Sequence, residues 1–225
     1  MGEAARYPSY MNLDPFIDVV RLRALDGFIT ERLMRRIGAS EDLAFYTGPF
    51  LLSDDAPALP GSRLVSLTAG GNEDYYALDR PEQWRPTAEA EEFAPLMDFL
   101  ATLPFEATGR AIVMYDWGGR AVPAHRDHES NELCHEFVWL RTNFAKPFYM
   151  LNPDTGEKLY VASHSAWFDT VNQYHGADAA GGLSFSIRVD GRFTDEFRRQ
   201  IPVSAENPAS APALWAARTA HAQAQ

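Results

Sequence analysis

The chain is nearly without cysteine: Cys134 is the only one among 225 residues. A single thiol excludes an internal disulfide framework and any cysteine-rich zinc module, and Cys134 is expected to be an inert buried thiol. No apolar run reaches the length of a membrane-spanning helix, and the N-terminus lacks a basic-then-apolar leader pattern, so the expected compartment is the cytoplasm. Basic residues are in deficit. Lys and Arg total 20 against 31 Asp and Glu, a formal net charge of −11. Such a surface repels phosphates and anionic headgroups, so neither nucleic acid nor a membrane is expected as a partner. The Arg-rich spots at 32–36 and 197–199 look like helix faces. Internal repeats are absent. The Gly-Gly pairs at 70–71 and 118–119 lack the Lys-Ser/Thr and helix of a phosphate loop and read as turns.

What remains is an ordinary globular composition, with 46% hydrophobic and 23% charged residues, long enough for a single domain over 1–225. Residues 15–38 mix a β-like start with a helical second half, in which Phe28, Ile29, Leu33 and Ile37 recur at helical spacing before Gly38. Residues 53–62 are loop by composition, 62–69 a short strand, and 70–86 a polar, aromatic loop. Residues 87–103 form the clearest helix, with Thr87 as its N-cap and an apolar stripe of Phe93, Leu96, Phe99 and Leu100. From 109 the texture changes. Segments 109–117, 136–144, 146–152, 157–163, 164–172 and 182–191 are short, rich in aromatic or β-branched residues, and punctuated by turns. That succession predicts an antiparallel sandwich or barrel. The expected architecture is mainly β with flanking helices, a jelly roll (double-stranded β-helix). A support region would occupy 1–104, the catalytic core 105–195, and an Ala/Pro-rich tail 203–225.

The chemistry concentrates in VPAHRDHES, 122–130. His125 and Asp127 form a His-x-Asp pair just after the Gly118-Gly119 turn. Alone, the pair is equally a solvated charged turn, since six histidines make one chance match unremarkable. Its order along the chain is more specific. His175 follows 48 residues after Asp127, between two strand candidates, and Arg188 comes 13 residues after His175. Two imidazoles and a carboxylate make the facial triad of non-haem Fe(II), with open positions left for co-substrate and oxygen. An arginine on the next strand suits the distal carboxylate of a dicarboxylate ligand.

The segments PAHRD (123–127), FVWLRTNF (137–144), WFDTVNQYH (167–175) and SFSIRVDGRF (184–193) resemble the Fe(II)/2-oxoglutarate dioxygenases. Within that superfamily the chain is most similar to bacterial cis-proline hydroxylases and aspartyl/asparaginyl β-hydroxylases. The resemblance covers about 105–195 and implies Fe(II), 2-oxoglutarate and O2, with His125, Asp127 and His175 as metal ligands. It also implies Arg141 as part of the co-substrate pocket. Tyr149 falls where the proline enzymes have a co-substrate-binding histidine. Those relatives carry the pocket arginine nearer the distal histidine, where this chain has Ser184 or Phe185. Since strand side chains alternate, Ser184, Ser186 and Arg188 still share a face, and Ser186 joins Arg188 as a co-substrate candidate. Arg126, His128, Asn143 and Trp117 are candidate substrate residues. Arg110 is expected at the surface or in a supporting ion pair.

Related halogenases carry Gly or Ala at the carboxylate position, so Asp127 implies hydroxylation or another oxidation. Succinate and CO2 would be the co-products. The expected substrate is a small molecule, foremost a free amino acid or a derivative. A side chain in a peptide or carrier-bound substrate is the alternative, with the 70–86 loop as a clamp. A non-enzymatic cupin-like protein or a zinc hydrolase is the third reading. The assembly state, monomer or homodimer, stays open.

Overall fold

The computed structural model describes residues 10–39, 62–69, 81–126, 136–152, 154–168, 170 and 173–200. Asp127, His128, Cys134, residues 53–61 and 70–80, and the 203–225 tail therefore lie outside the described residues.

The helices come first, apart from a short strand β1 (Tyr10–Asn12). A 3-10 turn, Asp14–Phe16, leads into α1 (Val19–Ala24) and α2 (Asp26–Ala39). Apart from Ile17 and Asp18 between the two elements, residues 15–24 are thus helical, not β-like. Pro15 supplies a helical φ at the turn, and the Asp18 carboxylate accepts the Arg21 amide at 2.9 Å, capping α1. These two local devices override the β-preference of Val19 and Val20, while Ile17, between the turn and α1, stays extended. The expected helix over 87–103 is two helices, α3 (Ala88–Glu92) and α4 (Ala94–Leu100), divided at Phe93 just before Pro95. Thr87 does not cap α3 with its side chain. Its hydroxyl donates to the Ser66 carbonyl at 2.7 Å and ties the helix start to β2 (Ser62–Ser66). The apolar stripe is as expected: Phe93, Leu96, Phe99 and Leu100 are all buried.

Residues 68–69 and 85–86 form a small ladder, β3 (Thr68–Ala69) with β4 (Arg85–Pro86). Then eight strands follow: β5 (Phe105–Asp116), β6 (Val122–His125), β7 (Phe137–Leu140), β8 (Phe148–Leu151), β9 (Lys158–Tyr160), β10 (Ser165–Phe168), β11 (Tyr174–Ala177) and β12 (Ser184–Phe193). A short helix, α5 (Asp195–Gln200), follows β12. Two antiparallel sheets result, a larger one in the order β1-β10-β7-β12-β5-β2 and a smaller one in the order β6-β11-β8-β9. From β5 onward the chain passes between sheets at every step except β8 to β9. That winding is the jelly roll expected from the sequence.

The larger sheet has two unlike faces. Register pairs Ile187 with Leu140 and Val113, and Val189 with Val138 and Ala111. These side chains are all buried and share one core with Leu22, Ile29 and Leu33 of the helices and with the α3–α4 stripe. The alternate residues point toward the smaller sheet, where Trp139 stacks on Phe148 with centroids 4.5 Å apart. Close-packed aromatic and aliphatic side chains on the helix side give the fold its main apolar burial. The inner side, between the sheets, combines aromatic rings with the buried charges of β5 and β12.

Two glycines set the distances there. Gly119, in the β5–β6 turn, has φ +68°, and a Cβ on it would lie 2.7 Å from the Ala180 carbonyl oxygen. That backbone packs against the β11–β12 connection, where the Ala180 amide donates to the Gly119 carbonyl. Gly176 lies under the Tyr149 hydroxyl and beside the Val122 carbonyl, 2.7 and 2.8 Å from where its Cβ would be. Only a glycine lets β6, β11 and β8 close up next to His175.

Candidate metal and co-substrate site

His125 ends β6 and His175 lies in β11, and the two are direct register partners in the antiparallel ladder. Their rings sit 4.4 Å apart, centroid to centroid, at an interplanar angle of 53°. β6 is an edge strand, so Pro123 costs the ladder little there. Each imidazole is oriented the same way. His125 Nδ1 lies 2.9 Å from the Pro123 carbonyl oxygen, and His175 Nδ1 lies 3.0 Å from that of Gln173. A carbonyl oxygen only accepts, so in each ring Nδ1 is the donor, and Nε2 is the nitrogen placed to ligate a metal. This carbonyl–histidine arrangement is the usual support of a metal-binding imidazole. The pair therefore fits a divalent metal. Asp127, two residues beyond His125, lies outside the described residues, and among those no group of three or more metal-binding side chains is assembled.

An aromatic wall runs from the histidines into the barrel. Phe168 is 5.0 Å from the His175 ring, and Phe137 meets Phe168 edge-on at 5.3 Å. The Arg188 guanidinium lies over Phe137, 4.3 Å from the ring centroid. Ser184, Ser186 and Arg188 pair with Asp116, Met114 and Ile112 and share the inner face, as the alternation predicts. Arg188 Nε donates to Asp190 Oδ1 at 2.9 Å, and Arg110 Nε donates to Asp190 Oδ2 at 2.8 Å. At the far end Lys146 pairs with Asp116, Nζ to Oδ2 2.6 Å.

Several expected site residues are elsewhere. Arg141 is buried beyond the end of β7 and turns its guanidinium to loop carbonyls. Nε donates to Ser163 at 2.9 Å, Nη1 to Lys146 at 3.4 Å, and Nη2 closely to Val161. Burial pushes its pKa down to about 10, so it stays charged at neutral pH. It staples two loops together and does not face the histidines. Tyr149 pairs with Gly176 and Tyr160, one rung from the His175–Met150 pair, and so points out of the barrel. There Lys158 Nζ sits 4.1 Å over its ring. Asn143 donates to Asp26 at 2.6 Å, beside α2, in an open cavity of about 430 Å³ lined also by Val20, Arg23 and Thr142. Trp117 packs by Tyr115, whose register partner is Phe185, on the face away from the smaller sheet. Arg126 is exposed and lies over Tyr174, 5.0 Å from the ring centroid, also outward. His128 lies outside the described residues.

Of the two expectations for Arg110, the supporting ion pair is the one found: it is buried against Asp190, which is 1% exposed and was not among the expected site residues. The signal for Asp190 was available: it continues the 184, 186, 188 alternation by one step. Nothing local announces Arg110, whose partner is 80 residues away.

No family model matches the chain, and no curated protein matches it. Among solved structures it is similar to a prolyl-4-hydroxylase from Pseudomonas putida, at 15% identity over 85% of this chain and 96% of that one, TM-score 0.45. It is also similar to a Trichoplax adhaerens prolyl hydroxylase in complex with a hypoxia inducible factor oxygen degradation domain peptide fragment, at 9% identity, 87% and 88% coverage and TM-score 0.46. A third is an oxidoreductase of the 2OG-Fe(II) oxygenase family from Burkholderia pseudomallei, at 11% identity, 58% and 68% coverage and TM-score 0.37. The jelly roll itself is read from the strand order above. Among the described residues no helix is long and apolar enough to cross a membrane.

Proposed function

We propose that this chain is a non-haem Fe(II)/2-oxoglutarate-dependent oxygenase that hydroxylates a small molecule, foremost a free amino acid or a derivative. The observation that carries the proposal is the register-paired His125 and His175, each with Nδ1 held by a backbone carbonyl. Asp127 is the third ligand in this reading, and the Asp keeps the site one for hydroxylation. Bound ferrous iron supplies the activation of O2, coupled to conversion of 2-oxoglutarate to succinate and CO2. The chain's own residues orient and exclude. Arg188, on the inner face and joined to the histidines by Phe137 and Phe168, takes the distal carboxylate of 2-oxoglutarate. Phe148, 6.0 Å from the His175 ring, helps keep water from the reacting end. Ser186 lines the same wall. The reducing poise of the cytoplasm, the compartment proposed here, keeps iron ferrous and the single thiol reduced.

Purified protein with Fe(II) and O2 is expected to release succinate from 2-oxoglutarate, faster with the right amino acid present. His125→Ala and His175→Ala should abolish this release. If neither iron nor 2-oxoglutarate binds the intact chain, the proposal is wrong. Turnover on free against peptide- or carrier-tethered amino acids separates the small-molecule reading from its alternative.

A further inference from the structure

Two buried arginines divide one buried aspartate inside the barrel. Asp190 accepts Arg188 Nε on Oδ1 and Arg110 Nε on Oδ2, at 2.9 and 2.8 Å. Arg188, Arg110 and Asp190 are 8%, 4% and 1% exposed. Burying charge is costly, and an ion pair inside a core is often no more stabilising than apolar residues of the same size. The helix-side residues of the same strands show that this fold packs well with apolar side chains: Ile187, Val189 and Ala111 are fully buried there. The charged cluster is confined to the inner face, on the wall that leads through Phe137 and Phe168 to His175. Glu136, the other buried carboxylate nearby, accepts the Phe193 amide at 2.6 Å and fastens β7 to β12.

From this arrangement we infer that Arg110 and Asp190 are positioning residues for dicarboxylate recognition by Arg188. The inference rests on the reading in the preceding subsection. A guanidinium presents five N–H groups in a rigid planar fork. With Nε held by Asp190 and the plane held over Phe137, Arg188 has both its rotation and its tilt set. The edge offered to a ligand carboxylate is then fixed before the ligand arrives, which lowers the ordering cost of binding. Arg110 holds the other carboxylate oxygen. It keeps Asp190 from swinging round Arg188 and neutralising the edge meant for the ligand. Removing Arg110 takes away that hold on Oδ2, and removing Asp190 takes a carboxylate from beside both guanidiniums.

The test compares two ligands with the same 2-oxo acid head: 2-oxoglutarate, and 2-oxobutyrate, which lacks the distal carboxylate. Binding is measured by calorimetry on the full chain loaded with Mn(II), which needs no turnover. The wild type is expected to prefer 2-oxoglutarate, and Arg188→Met to lose that preference. Asp190→Asn and Arg110→Met should weaken 2-oxoglutarate by about tenfold to a hundredfold, the loss of a charge-assisted contact, and leave 2-oxobutyrate unchanged. Arg110→Lys keeps charge and most of the volume and should fall between, which covers the case where the larger changes prevent folding. If the Asp190 and Arg110 variants weaken both ligands alike, or neither, their role is structural and the inference is overturned while the proposed function stands. If the wild type shows no preference for 2-oxoglutarate, the proposed function fails and the inference with it.

Discussion

Arg141 and Arg188 are both buried, both lie against an aromatic ring, and both sit on segments that resemble the same family. Their hydrogen-bond partners differ. The Arg141 corner, between the ends of β7 and β9, meets the guanidinium with neutral carbonyls of Lys146, Val161 and Ser163. The barrel interior meets Arg188 with a carboxylate that a second arginine shares. The first arrangement uses the N–H groups to satisfy loop backbone that would otherwise be buried without donors. The second collects charges on a wall that could have been apolar. Burial of an arginine is therefore not by itself evidence of a ligand site; the groups it is paired with have to be read first.

The contrast can be pushed from both ends. Arg141→Met should cost the most stability, about 3 kcal/mol, because several loop carbonyls lose their donor at once. Urea unfolding measures this, and the 2-oxoglutarate affinity of the folded protein should stay unchanged. A loss of affinity without loss of stability would return Arg141 to the co-substrate pocket. Arg188→Met should cost less stability, about 1–2 kcal/mol, since Asp190 keeps Arg110. The rise in melting temperature that 2-oxoglutarate gives the Mn(II)-loaded wild type should vanish in this variant. Tyr149→Phe removes one hydroxyl from a buried ring on the outer side of the smaller sheet and should shift unfolding by about 1 kcal/mol or less, with 2-oxoglutarate affinity untouched. The smallest effect belongs to Asp178, on the same outer face. Hydrogen bonds from Lys158 and Tyr160 hold its carboxyl below the ordinary range. Its contribution to stability is present above the ordinary carboxylate range and fades as the pH falls through its lowered pKa. Because the group is exposed, Asp178→Asn should alter only the acid limb of a stability–pH curve, and barely.

Much of the fold was legible in the residues. The stripe Phe93, Leu96, Phe99, Leu100 announced the helix face, and the run of short strands after 105 announced the jelly roll. Pro95 marked the break between α3 and α4, although the stripe carried the eye across it. Residues 15–24 misled because β-branched side chains state a preference of a few tenths of a kcal/mol, about what one good cap exceeds. In the site, His125, His175, Ser186 and Arg188 fall on the inner face as spacing alone implied. Tyr149 does not, since a single step of register turns a strand residue to the opposite face. Asn143, Trp117 and Arg126 likewise depended on which way a strand end turns.

Period and spacing are local properties. They place alternate residues of β12 on one wall, and they place two imidazoles so that each finds the carbonyl two residues behind it. Those parts of the site were written in short stretches of chain. The sharing of Asp190 between arginines on β5 and β12, and the convergence of three loop carbonyls on Arg141, join segments brought side by side only by the closing of the two sheets. What each buried charge is paired with was decided there, because the cost of a buried charge depends on what stands next to it in space.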